Sequence, residues 1–502
     1  MDNLAMVLDY SLLRFSDAVF LFLSFFFLLG YKCSIVWSNV LAAQLCGPVC
    51  LSCNGSIFKW RKRRMAKLRS ILIACCMVLM ISATAFAATE IQWWHAMGGK
   101  LGEKVNEIAD KFNASQSEYK IVPTYKGNYT ETMTAAIAGF RAGKHPHLVQ
   151  VFEVGTATMM AAKGAVYPVY KLMADMDLPF DTGRFLDGVA AYYTTTDGKM
   201  LSMPFNSSTP VVFYNKDAMR KAGLDPSHPP RTWPELAAVS RKMIKAGVVK
   251  YGFITGWQSW VQLENFSAWH NVPLGTLENG FGGLGTEFVF NGPAQVKHIQ
   301  QLADWQKDDV FHYAGRRSDG NPLFINGESA FLMGSSAALA GLKDNCKFEL
   351  GITMLPYWPD LVKKPRNSII GGATLWVLAK HKKAEYKGVA EFLNFLSSPE
   401  IQADWHQFTG YLPITYAAYE LSKKQGYYKT MPDAEVAIKQ MTLNPPTPNS
   451  KGLRFGNYVQ GRDIINEELE NVWTGKKTAQ QALTDAVERG NALLRKFEKA
   501  NK

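Results

Sequence analysis

The stretch that decides the fold runs from Ile91 to Phe152. Ile91-Gln92-Trp93-Trp94 reads as a strand, and Leu101, Val105, Ile108 and Phe112 then recur at helical spacing. Tyr119 to Tyr125 reads as a second strand, Met133, Ile137 and Phe140 mark a second helix, and His147 to Phe152 is a third strand. This βαβαβ order predicts a parallel sheet and an α/β fold, because parallel neighbours need a crossover that a helix supplies. Ligands of open parallel sheets bind beyond the carboxyl ends of the strands. Here those ends are Trp94-His95, Lys126 to Tyr129, and Glu153.

Downstream, the chain passes through Pro204-Phe205-Asn206-Ser207-Ser208-Thr209-Pro210 into a fresh strand, and a second α/β series begins. Thr232-Trp233-Pro234-Glu235 predicts a capping box with proline in the first turn. A strand is expected at Tyr251 to Ile254, followed by Gly256-Trp257-Gln258-Ser259-Trp260. Ser329 to Met333 is read as a strand that stops at Gly334-Ser335-Ser336 before an Ala/Leu-rich helix, and Ser368 to Ala373 starts another series. Thr478 to Gln481 caps a C-terminal helix with Ala482, Val487 and Leu494 inward.

The chain has 502 residues, 47% of them hydrophobic and 20% charged, which excludes wholesale disorder. Its 55 Lys/Arg against 43 Asp/Glu give a net charge of +12. Residues 1–87 hold nine Lys/Arg, three acids and six of the seven cysteines, so half of the basic excess lies there. Met65-Ala66-Lys67-Leu68-Arg69, the apolar run Ile71 to Ile81 and Ala85-Phe86-Ala87 read as a signal peptide, residues 65–87, cleaved after Ala87. The rival is a membrane anchor, but the apolar run falls short of the roughly 20 residues that span a bilayer. Residues 1–64 are read as an upstream artefact of the translation start or an extra hydrophobic extension. The modest positive remainder suits a small anion better than nucleic acid.

Strand-Gly-Ser-Ser-helix at Gly334 to Ser336 offers N–H groups and hydroxyls to an anion, as do Ser208 within Asn206 to Thr209 and the Gly371-Gly372 pair. Ordinary turn chemistry is the competing reading of each. Arg462, placed just ahead of a helix bearing Ile465, Leu469 and Val472, either forks onto a phosphate or is a solvated surface arginine. Trp257 and Trp260 are either an aromatic platform or core. Glu153 accepts from ligand hydroxyls or caps the next helix, and its strand-end position favours the site. There is no G-x-S-x-G, H-E-x-x-H or exported C-x-x-C arrangement. His145-Pro146-His147 is read as a surface loop with no carboxylate nearby, and Cys346 as a buried thiol.

Lys126 to Tyr129, Phe152 to Met160, Pro204 to Pro210, Gly256 to Trp260 with Leu263 to Trp269, Ile369 to Ala373 and Thr409 to Thr415 together resemble the periplasmic sn-glycerol-3-phosphate-binding proteins of bacterial ATP-binding-cassette importers. These are relatives of the maltose-binding proteins. The resemblance covers residues 88 to 502 and departs at His270, where the family has asparagine, and around Arg462. It implies a two-lobed periplasmic binding protein with the cleft between the lobes and three inter-lobe crossings, near Ser207 to Val212, Asn367 to Ala373 and Gly410 to Pro413. Lobe I would be 88–207 plus 373–409, and lobe II 211–368 plus 413–502. The implied ligand contacts are Tyr129, Glu153, Ser208, Ser335, Gly372, Tyr411 and Arg462, with Trp257 and Trp260 as an aromatic floor. Of these Tyr411 comes from the resemblance alone. It further implies a monomeric receptor without cofactor or metal, capturing glycerol 3-phosphate or a glycerophosphodiester such as glycerophosphocholine for an inner-membrane permease and its ATPase. The alternatives are an oligosaccharide receptor of the same fold and an exported glycerophosphodiesterase.

Overall fold

A computed structural model describes residues 88–502. The expected signal peptide and upstream extension, with the six cysteines of residues 1–87, lie outside the described residues.

The opening stretch forms β1 (Thr89–His95), α1 (Gly99–Ser115), β2 (Tyr119–Tyr125), α2 (Tyr129–Arg141) and β3 (Leu148–Phe152). β1 pairs parallel with β2, from Thr89 opposite Tyr119 to His95 opposite Tyr125, and parallel with β3. α1 buries Val105, Ile108, Ala109 and Phe112, the 3–4-spaced face, against this sheet. Every residue of β3 is buried, as a central strand covered on both faces requires.

The Pro204 to Pro210 passage is itself strand: β4 (Met203–Ser208) ends in the first sheet and β5 (Pro210–Asn215) begins the second, so the crossing occupies Thr209 alone. Next come α3 (Trp233–Lys245), with the expected Thr232–Glu235 capping box, β6 (Tyr251–Thr255), β7 (Phe311–His312), β8 (Ser329–Ser335), β9 (Leu350–Thr353) and β10 (Gly371–Val377). β8 runs two residues past the expected stop at Met333, because Val211 and Pro210 of β5 still pair with Gly334 and Ser335. The first sheet has the order β2-β1-β3-β10-β4 and the second β7-β6-β8-β5-β9. The first is mixed rather than parallel throughout, since β10 returns antiparallel between β3 and β4. The molecule is thus a mixed α/β protein of two lobes, one around each sheet.

The three segments expected to cross meet through buried polar atoms. Thr209 Oγ1 donates to Ser368 Oγ at 2.6 Å, and Leu412 N donates to Ser207 O at 2.7 Å. Gln440 Nε2 donates to Pro210 O at 2.6 Å and to Ser368 Oγ at 3.0 Å. Beyond them lie α4 (Pro399–Thr409), α5 (Tyr458–Trp473) and α6 (Ala479–Asn501), whose N-cap Thr478 accepts from Gln481 N. Arg462 lies within α5, not ahead of it: the helix starts at Tyr458, whose ring packs on Phe455 and Phe288. Trp473 at the far end of α5 rests on Phe311 of β7 at 5.2 Å, which anchors the helix to the second sheet's lobe.

Candidate functional site

All nine residues singled out above, Tyr129, Glu153, Ser208, Trp257, Trp260, Ser335, Gly372, Tyr411 and Arg462, line one cavity of about 430 Å³. The cavity is fed by the carboxyl ends of β3 and β6, the Thr209 crossing, and the start of β10. Of the strand ends named for the first sheet, Tyr129 and Glu153 line this cavity, whereas Trp94, His95 and Lys126 do not.

Two glycines shape the wall. Gly372 has φ +88°, and a Cβ there would stand 1.8 Å from Asn206 O, so no side chain fits. A Cβ on Gly371 would meet Trp260 Cζ2 at 2.5 Å, so its absence lets the indole lie flat on β10. Trp260 is 4% exposed and also sends Nε1 toward Ile370 O, while Trp257, at φ +50°, stays partly exposed beside it. Trp260 is thus largely packed yet still lines the cavity, and Trp257 lines it with part of its ring exposed.

A polar relay sets the Tyr129 side. Ala96 N donates to Gln150 Oε1, Gln150 Nε2 to Asn206 Oδ1, and Asn206 Nδ2 to Tyr129 Oη at 2.8 Å. Tyr129 stacks on Phe152 at 5.3 Å, and Tyr411 stacks on Trp405 at 5.6 Å. The two phenols adjoin, and burial first and their mutual proximity second raise Tyr129 well above its ordinary pKa. Burial likewise raises Tyr411, so both stay protonated and can donate to an anion. Gln150 escapes a reading of site residues, since a glutamine inside a fully buried strand is legible only as an anomaly, and Asn206 was named only as part of the Asn206 to Thr209 segment.

The charged wall is a triad. Arg462 donates from Nε to Glu264 Oε1 at 2.9 Å, from Nη2 to Glu264 Oε2 at 2.5 Å, and from Nη2 to Glu153 Oε1 at 2.8 Å. Tyr458 Oη donates to Glu264 Oε1 at 3.0 Å. Arg462 is therefore a buried arginine, not a solvated one. Burial raises the Glu153 carboxyl above the usual carboxylate range, and the guanidinium opposes that shift. Burial also disfavours the charge on Arg462, but Glu264 and then Glu153 overcome it and keep the guanidinium charged. Glu153 follows β3 of one lobe and Arg462 sits on α5 of the other, so the ion pair ties the lobes together. Glu264 was missed; its signal is that it is the one charged residue in the stretch Gly256 to Trp269. It lies in a π-helical turn, Trp260–Asn265, a geometry that gathers at functional sites. Arg317 also lines the cavity, exposed, with its guanidinium 5.9 Å from the Trp257 ring.

His145-Pro146-His147 departs from expectation. His147 is buried, stacks on His381 at 3.9 Å, and has Glu385 Oε2 3.6 Å from Nε2, so a carboxylate does stand near. β10 and the helix after it bring His381 and Glu385 there, a contact over 230 positions that no local pattern announces. Gln92 N–H donates to His147 Nδ1 at 3.0 Å, so the neutral ring carries its proton on Nε2. That nitrogen has Glu385 nearby but beyond hydrogen-bond distance, and it has no free lone pair for a metal. Cys346 is half-buried, and burial pushes its thiol up to about 11, away from nucleophilic use.

The chain has close relatives. It is 53% identical over 436 residues to the sn-glycerol-3-phosphate-binding periplasmic protein UgpB of Yersinia pseudotuberculosis, covering 87% of this chain and 99% of that protein. Among solved structures, UgpB from Mycobacterium tuberculosis in complex with glycerophosphocholine superposes with a TM-score of 0.68 at 22% identity, covering 82% of this chain and 99% of that one. Maltose-bound T. maritima MalE3 superposes with a TM-score of 0.67 at 20% identity, covering 81% and 100%. These two likenesses are of fold. Residues 107–435 match the model of the bacterial extracellular solute-binding proteins, and it is to this family that the chain belongs.

Proposed function

We propose that this protein is the periplasmic receptor of an ATP-binding-cassette importer, and that it captures sn-glycerol 3-phosphate and its diesters and delivers them to the inner-membrane permease and its ATPase. The observation that carries the reading is the convergence of neutral donors, the buried Arg462 guanidinium and an aromatic floor on a cavity shared by both lobes. The Ser208 and Ser335 hydroxyls, the Gly372 backbone and Arg462 Nη1 take the phosphate; Nη1 has no protein partner among the described residues. Glu153 and Tyr129 take the glycerol hydroxyls, Tyr411 closes the same side, and the glycerol carbons rest on Trp257 and Trp260. Neutral donors suit an anion in a partly desolvated cleft because their fixed dipoles stabilise charge without adding a repulsive counter-set. In this reading no bond is made or broken.

The lobes are assigned as 88–207 with 373–409, and 211–368 with 413–502. Residues 414–424 pack back on the first lobe, where Leu186 N donates to Ile414 O at 3.0 Å. Export follows cleavage near Ala87, and the receptor acts as a monomer. None of the helices among the described residues is long and apolar enough to cross a membrane.

Titration calorimetry of the purified protein with glycerol 3-phosphate and with maltose tests the reading. Binding of the phosphate and silence with maltose is the expected result. Tight maltose binding without a phosphate response would replace it with an oligosaccharide receptor, and steady release of choline from glycerophosphocholine would replace it with a hydrolase.

A further inference from the structure

Arg462 is the cavity's sole buried cation among the described residues, and two carboxylates already hold it. Glu264 takes Nε and Nη2 as a fork, and Glu153 takes the remaining hydrogen of Nη2. Only Nη1 is left without a protein partner among the described residues. The group carries two negative charges against one positive, so an anion drawn to Nη1 also feels a surplus negative charge close behind it. Glu264 does not line the cavity and is fully buried, so it reaches the ligand only through Arg462. Its carboxylate is not needed to cancel another cation, since the neighbour on its other side is the neutral phenol of Tyr458.

We infer that Glu264 is a positioning residue that sets the charge selectivity of the site: it fills the Nε–Nη2 edge of the Arg462 guanidinium while Glu153 takes the other Nη2 hydrogen, and its fixed charge weakens the hold on a dianionic monoester relative to a monoanionic diester. The inference rests on the reading of the site as a glycerol-phosphate receptor. Its physical content is a difference. A fixed charge acts twice as strongly on a dianion as on a monoanion at the same place, whereas loss of packing or of guanidinium alignment affects both alike.

The test compares glycerol 3-phosphate with its methyl diester, which differ by one charge and one methyl group, at about pH 8, where the second phosphate proton is off. Calorimetry is run on the wild-type protein and on Glu264→Gln, which keeps an acceptor for Nε while removing the charge. The expected result is that the monoester-to-diester affinity ratio rises about tenfold in the variant. A ratio that stays within twofold, or falls, would overturn the inference and leave Glu264 as scaffold. Should Glu264→Gln fail to fold, Glu264→Asp serves: retracting the carboxylate by one methylene opens the fork and shifts the ratio a few-fold in the same direction, and an unchanged ratio overturns the inference. If the wild-type protein binds neither ligand, the receptor reading fails instead.

Discussion

At the scale of single residues, the site depends on a few atoms that nothing can replace. Gly372 is the sharpest case: its backbone is left-handed and its missing Cβ leaves room for Asn206 O. Gly372→Ala adds both backbone strain and a clash inside a two-sided sheet, and is expected to lower stability by about 2–4 kcal/mol. It should also displace the Gly372 backbone at the cavity wall, so urea unfolding and calorimetry should both register it. A variant that melts like the wild type would show that the sheet gives way at no cost. Arg462 illustrates the opposite economy. Its charge is fixed by two buried carboxylates, so removing it strands them, and a loss of binding in Arg462→Ala is interpretable only beside a stability measurement.

At the scale of elements, α4 carries a buried imidazole next to the cavity. His406 Nδ1–H donates to Tyr411 O at 2.5 Å, and Nε2 accepts from Tyr428 Oη at 2.7 Å, so the neutral ring is fully satisfied. Burial pushes its pKa down to about 4 from the ordinary 6.5. Between those values the unfolded chain binds the proton and the folded one does not. The contribution is therefore fully present above about pH 6.5 and is lost as the pH falls toward 4, up to about 3 kcal/mol. His95 and His270 shift in the same direction for the same reason. Urea midpoints at pH 7 and 4.5 should diverge less in His406→Gln than in the wild type; an equal divergence would place the acid sensitivity elsewhere. Much of the element order was legible: βαβαβ, the Thr232 cap and the Thr478 cap come from spacing and turn chemistry alone. The antiparallel return of β10 was not, because its partners β3 and β4 lie more than 160 positions upstream, and register between distant strands is set by packing rather than by local pattern.

At the scale of the whole molecule, the cavity takes walls from both lobes, so a ligand there favours the arrangement in which both walls touch it. Glycerol 3-phosphate is expected to compact the protein in small-angle scattering and to stabilise it by about 2.7 kcal/mol at a hundredfold excess over Kd. A melting temperature independent of ligand concentration would rule out coupling between capture and the folded state. The Glu153–Arg462 pair spans the same gap without ligand, which sets a baseline of inter-lobe attraction that the ligand adds to.

By itself the sequence determined the α/β class, and it singled out the strand end at Glu153 and the serine and glycine turns at Ser208, Ser335 and Gly372 that meet at the cavity. Those follow from local rules: side-chain period, turn chemistry, and the direction of parallel strands. Only the tertiary structure decided that Glu264 and Glu153 share one guanidinium, that Asn206 and Gln150 orient Tyr129, and that His147 meets Glu385. Each of these joins residues dozens to hundreds of positions apart, and the free energy of a buried polar group depends on which partner the fold delivers to it.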